Sequence, residues 1–236
     1  MTHPAAADPA VRDRLAIALD VPDLASALRL ATEVAPWFGV AKVGLELYAA
    51  TGPRAVAELR DRGLDVFVDL KLHDIPTTVE RAARVLGGLG ARYLNFHAAG
   101  GVAMLRAGVE GLGTGARDAG CAPPVALAVT VLTSDADTSA FGPRLAAAIE
   151  AGCGGVVCAA AEVGRVREAG PGLVTMVPGI RFADGAVDDQ VRVATPGSAA
   201  AAGAGVLVIG RSVSGADDPA AAARRAHEEV AAAVGD

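Results

Sequence analysis

Short apolar runs rich in β-branched residues alternate along this chain with longer segments in which Ala, Leu and Arg recur at helical spacing. A run of about four to seven apolar residues fits a strand buried on both faces, and the longer segments fit helices packed back onto a sheet. Eight such pairs are present. The pattern predicts strands at Leu15–Leu19, Ala41–Gly44, Asp65–Leu70, Tyr93–Phe96, Val125–Val131, Gly155–Cys158, Val174–Val177 and Val206–Ile209. Repeated βα units give an α/β fold with a parallel sheet. Eight units joined by short connections without a linker favour one (β/α)8 TIM barrel over residues 1–236, with a doubly wound open sheet as the alternative.

Local signals mark the helix ends. Thr195-Pro196 and Asp218-Pro219 pair a capping side chain with proline at the first helical position. Thr77-x-x-Glu80 has the spacing of a capping box at the start of the third helix. Gly63, Gly90, Gly120, Gly152 and Gly170 each follow a helical stretch, where a left-handed cap suits glycine.

Composition narrows the function classes. The 236 residues are close to the roughly 250 of such barrels. A formal charge of −6, with both signs spread along the chain, leaves no basic tract to follow a nucleic-acid backbone. Cys121, Cys153 and Cys158 lack CxxC spacing and lie among apolar residues, which predicts reduced, buried thiols and neither disulfide nor zinc site. The apolar stretch around Ala199 to Ile209 is shorter than the ~20 residues of a membrane span and is cut by Gly203 and Gly205. A soluble, cytoplasmic protein is expected.

Of the 21 basic residues only Lys42 and Lys71 are lysine, and Gln190 and Asn95 are the sole Gln and Asn. Lysine retained in a chain that otherwise uses arginine points to work that guanidinium cannot do, such as proton transfer. Barrel active sites form at the C-terminal ends of the strands. That rule selects Asp20, Lys42, Asp69, Lys71, His97, Thr133, Ser134, Arg181, Gly210 and Arg211. Asp69 and Lys71 are two apart on one strand and point the same way, and Lys42 beside them completes a row of alternating charge. Bland roles compete at several positions. Asp20 and Asp74 both stand where a helix cap is wanted, and His73 and His97 read as structural. Gly210, Arg211 and Ser212 end the last strand in a turn suited to a phosphate, within reach of Gln190; a solvated arginine is the plainer reading.

The segment Asp69-Leu70-Lys71-Leu72-His73-Asp74-Ile75-Pro76-Thr77-Thr78 resembles the orotidine 5′-monophosphate decarboxylase signature DxKxxDIxxT. The likeness extends through Leu15–Asp20, Lys42-Val43-Gly44, Val129–Ser134, Pro178-Gly179-Ile180-Arg181, Asp188-Asp189-Gln190 and Gly210-Arg211. The resemblance implies decarboxylation to uridine 5′-monophosphate without metal or organic cofactor, with Lys71 as proton donor and Asp69 against the substrate carboxylate. It implies that Asp20 and Lys42 contact the ribose, that Thr133 and Ser134 face the pyrimidine, and that Arg181, Gln190, Gly210 and Arg211 hold the phosphate. It also implies a homodimer in which Asp74, Ile75 and Thr78 act in the neighbouring subunit's site. The runner-up is a magnesium-dependent sugar-phosphate decarboxylase of the same superfamily, which carries an acidic ligand where this chain has Lys42. A phosphosugar aldolase or isomerase using a Schiff-base lysine, and a silent barrel serving as a scaffold, are the more distant alternatives.

Overall fold

The computed structural model describes residues 7–184 and 192–235. Eight parallel strands close into a barrel in sequence order: β1 (Leu15–Ala18), β2 (Val40–Val43), β3 (Asp65–Leu72), β4 (Tyr93–His97), β5 (Val125–Val129), β6 (Gly155–Val157), β7 (Val174–Ile180) and β8 (Val206–Ile209). Pairing of Leu15 with Leu207 joins the first strand to the last, which excludes the open sheet. The helices are α1 (Pro9–Arg12), α2 (Leu24–Val34), α3 (Leu45–Thr51), α4 (Arg54–Arg60), α5 (Pro76–Gly88), α6 (Gly101–Asp118), α7 (Phe141–Glu150), α8 (Val163–Ala169), α9 (Pro196–Ala201), α10 (Arg211–Ser214) and α11 (Pro219–Val234).

Strand side chains alternate between two apolar layers. Ala16, Val40, Phe67, Tyr93, Leu127, Met176 and Val206 fill the barrel interior. The alternate residues, among them Leu15, Ile17, Ala41, Val66, Val68 and Leu207, pack outward against the helices. Because the interior is plugged by these side chains, space for a ligand opens only beyond the plug, at the strand ends.

Five local expectations need correction. β3 and β7 run further than the hydrophobic pattern indicates, to Leu72 and Ile180, and each contains a register irregularity against its neighbour. α5 begins at Pro76 with Ile75 as its N-cap, so Thr77 and Glu80 lie inside the helix and form no capping box. The cap of α2 is Asp23, whose side chain accepts from Ser26 N, which leaves Asp20 for other work. Gly63, Gly90, Gly120 and Gly152 have the left-handed conformation, but Gly170 does not (φ −152°). Cys121 is partly exposed, whereas burial pushes the thiols of Cys153 and Cys158 up to about 12 and keeps them protonated. The caps at Thr195 and Asp218 form as expected.

α5 and α6 approach until their backbones touch. A Cβ on Gly111 or Gly115 would overlap the carbonyl oxygens of Glu80 and Arg84 on the facing helix, and one on Gly87 would meet Leu112 O. α5 is thereby fixed directly behind the loop that carries Asp74 and Ile75. No described helix is long and apolar enough to cross a membrane.

Candidate active site

The interior parity that begins with Ala16, Val40, Phe67, Tyr93 and Leu127 carries Asp20, Lys42, Asp69, Lys71, Asn95 and Thr133 inward, each an even number of residues further along its strand. These strand ends surround a cavity of about 580 Å³, within the usual range for a small-molecule site. Val129, Val157, Met176 and Val208 give it apolar lining.

On its β1–β3 side the charges form a continuous row. Lys42 Nζ donates to Asp20 Oδ1 at 2.8 Å and lies 3.5 Å from Asp69 Oδ2, and Lys71 Nζ donates to Asp69 Oδ1 at 2.6 Å. Lys42 and Asp69 are buried, while the Lys71 side chain keeps 34% exposure, so its ammonium is held at one end and open to the cavity at the other. Burial pushes the Asp69 carboxyl up, but the ammonium groups of Lys42 and Lys71 and the hydrogen bonds from Lys71 and Asn95 outweigh it, leaving its pKa below the ordinary value. Gly44 completes this wall: a Cβ there would stand 2.6 Å from Asp20 Oδ1 and 3.0 Å from Lys42 Nζ.

Lys71 is the one non-glycine residue with positive φ (51°) among the described residues. It lies within the β3 irregularity, where the three residues between Val68 and Leu72 face only Asn95, the one residue between their partners Leu94 and Phe96. Such a bulge withdraws an N–H from the ladder, and a buried N–H requires another acceptor. Asn95 Oδ1 supplies it, accepting from Lys71 N at 2.7 Å, while Asn95 Nδ2 donates to Asp69 Oδ1 at 2.7 Å. One fully buried amide therefore fixes both the strained backbone of Lys71 and the carboxylate that holds its ammonium. The side-chain pattern did not assign Asn95 a role; its being the only asparagine, at an inward position of β4, was the available signal.

His73 and His97 stack with centroids 5.4 Å apart, and His97 Nδ1 accepts from Ala99 N. Burial, then the charges of Arg144, His73 and Lys71, lower the His97 pKa and favour the neutral ring. Asp74 Oδ1 accepts from Ile75 N and does not cap α5.

A sequence comparison decides the relationship. The model of the orotidine 5′-phosphate decarboxylase / HUMPS family matches residues 13–226. The chain belongs to this family. It is 51% identical over 226 residues to the orotidine 5′-phosphate decarboxylase of Anaeromyxobacter dehalogenans, covering 90% of this chain and 96% of the relative. The protein of the same name from Moorella thermoacetica is 45% identical over 233 residues, covering 93% and 92%. The crystal structure of orotidine 5′-phosphate decarboxylase from Lactobacillus acidophilus superposes with a TM-score of 0.76 at 32% identity, covering 92% of this chain and 99% of that one.

Of the positions suggested by likeness to the decarboxylase family, the cavity gathers Asp20, Lys42, Asp69, Lys71, Thr133, Ser134, Arg181, Gly210 and Arg211. Leu45, Glu46 and Ser214 also line it and were not singled out by the sequence. Asp74, Ile75 and Thr78 are exposed and do not line the cavity of their own chain. Asp188, Asp189 and Gln190 lie outside the described residues.

Proposed function

We propose that the Asp20–Lys42–Asp69–Lys71 row is the catalytic apparatus by which this single-domain chain decarboxylates orotidine 5′-monophosphate to uridine 5′-monophosphate. Loss of CO2 breaks the bond from C6 to the carboxylate carbon and leaves its electron pair on C6, in the ring plane, beyond delocalisation by the π system. The Lys71 ammonium faces that developing charge, stabilises it and transfers a proton to C6. Asp69 keeps the ammonium aimed and stands against the substrate carboxylate. Lys42 and Asp20 contact the ribose hydroxyls. Thr133 and Ser134 face the pyrimidine, and Arg181, Gly210, Arg211 and Gln190 hold the phosphate, whose remote binding energy orders the site.

The observation that carries this reading is the position of Lys42 Nζ, 2.8 Å from Asp20 and 3.5 Å from Asp69. In a magnesium-dependent sugar-phosphate decarboxylase a metal-binding carboxylate occupies the Lys42 position. Here a fixed ammonium stands between the carboxylates, which opposes a divalent cation there and favours metal-free chemistry.

Asp74, Ile75 and Thr78 serve the neighbouring site of a homodimer. Ile75, 67% exposed beside Asp74, is an apolar side chain suited to burial in such a contact. A cytoplasmic enzyme that binds a small nucleotide, and neither nucleic acid nor membrane, completes the proposal.

The test is the near-ultraviolet absorbance of orotidine 5′-monophosphate with purified protein in excess EDTA. Loss of the orotate chromophore at catalytic protein concentration is expected. No loss under EDTA, together with magnesium-dependent turnover of a keto-sugar phosphate, would transfer the assignment to the other branch.

A further inference from the structure

Beyond the row of charges, one ion pair between a buried carboxylate and a part-buried arginine is not used by the chemistry above. Glu162 ends the 3-10 turn Ala160–Glu162 after β6, is only 4% exposed, and spends both carboxylate oxygens. Its Oε2 accepts from Ala159 N at 2.9 Å, and its Oε1 accepts from Arg192 Nη1. Arg192 continues away from Glu162. Its Nη2 donates to Leu132 O at 2.9 Å and Val131 O at 3.3 Å, and its backbone N donates to Thr133 O at 3.3 Å.

Arg192 is thus bonded to the three consecutive carbonyls that lead into Thr133 and Ser134, the hydroxyl residues of the cavity wall. The chain just beyond Arg192 is stitched to the end of β7: Arg181 N donates to Ala194 O at 2.9 Å, and Ala194 N to Gly179 O at 3.2 Å. The pair therefore stands between the loop that faces the pyrimidine and the segment that bears Arg181, anchored from below by β6. An ion pair of this kind contributes little net stability compared with apolar packing of the same volume, so its worth here lies in the elements that its hydrogen bonds join.

We propose that Glu162 and Arg192 are positioning residues that set the separation between the pyrimidine-facing hydroxyls and the phosphate-binding arginine, and so tune the site to the length of a nucleoside 5′-monophosphate. Neither residue lines the cavity, so their effect passes through Thr133, Ser134 and Arg181. The inference rests on the functional reading above. It separates from that reading because a substrate held at one end only does not depend on the separation, whereas a substrate held at both ends does.

The test compares kcat/KM for orotidine 5′-monophosphate and for orotidine, which lacks the phosphate, in wild type, Glu162→Gln and the charge-free double variant Glu162→Leu/Arg192→Met. The expected result is a loss of about 10- to 100-fold for the phosphorylated substrate, the scale of a misplacement of roughly 1 Å. For orotidine the change stays within about 3-fold, a flat response that separates positioning from general damage to the site. Glu162→Gln keeps the side-chain shape and gives the same ordering with smaller amplitude; it decides the matter if the double variant does not fold. Equal losses for both substrates, or no loss for either, overturn the proposal. Failure of the wild type to consume the phosphorylated substrate instead overturns the functional reading on which it stands.

Discussion

Lys71 holds a left-handed backbone that costs a non-glycine residue of the order of 1–3 kcal/mol. Asn95 is the side chain that compensates, since its amide accepts from the strained N–H and donates to Asp69. Without that amide the Lys71 ammonium loses its alignment, and a misplacement of roughly 1 Å costs up to about 100-fold, so Asn95→Ala should lower kcat by roughly 10- to 100-fold. Steady-state kinetics checks this, and an unchanged kcat would mean that Lys71 is aimed by Asp69 alone. The titrating groups give a second residue-scale prediction. His97 has a folded pKa below its ordinary 6.5, so the unfolded chain binds the proton more readily. The stability it contributes is complete above about pH 6.5 and is lost as pH falls through the folded value. Chemical denaturation between neutral pH and pH 5 should show a decline that is smaller in His97→Gln. Asp69, with its pKa lowered, keeps its charge throughout that window, so its own contribution is lost only at more acid pH.

At the scale of elements, the contact of α5 with α6 places the Asp74–Ile75 loop, and it depends on glycine at particular positions. Gly111→Ala should destabilise the fold by about 1–3 kcal/mol, because the new methyl group overlaps Glu80 O and two helix backbones must separate. Gly164→Ala on α8, where the added carbon meets nothing within 4 Å, should instead stabilise by about 0.4–1 kcal/mol. Urea denaturation of the two variants measures this contrast, and equal effects would contradict the packing. The strands were legible in the sequence because most of them are apolar on both faces over three or more residues, as in Val66–Val68 and Val206–Ile209. The true ends of β3 and β7 were not. Bulges at Lys71 and Gly179 depend on what neighbouring strands offer, and hydrophobic spacing does not record that. The capping-box spacing at Thr77 misled for a related reason: proline at 76 starts α5 early, so Thr77 is already helical.

For the whole molecule, the parity of each strand was enough to gather the charged residues at one mouth of the barrel, and two lysines in an arginine-rich chain marked them before any geometry. Asn95, Glu162 and Arg192 were less legible because they act through hydrogen bonds between elements distant in sequence. The proposed assembly has its own test. If Asp74 serves the neighbouring subunit, mixing inactive Lys71→Ala and Asp74→Ala chains restores one intact site per mixed dimer. With random exchange, half the dimers are mixed and one of their two sites is intact, so about a quarter of wild-type activity should return. No recovery after exchange would mean that each site is built from one chain. The most direct test of the central claim is the rate of orotidine 5′-monophosphate decarboxylation by Lys71→Ala, measured on protein that still binds uridine 5′-monophosphate. The account predicts that decarboxylation is abolished while nucleotide binding persists; turnover near that of the wild type would show that Lys71 is not the proton donor.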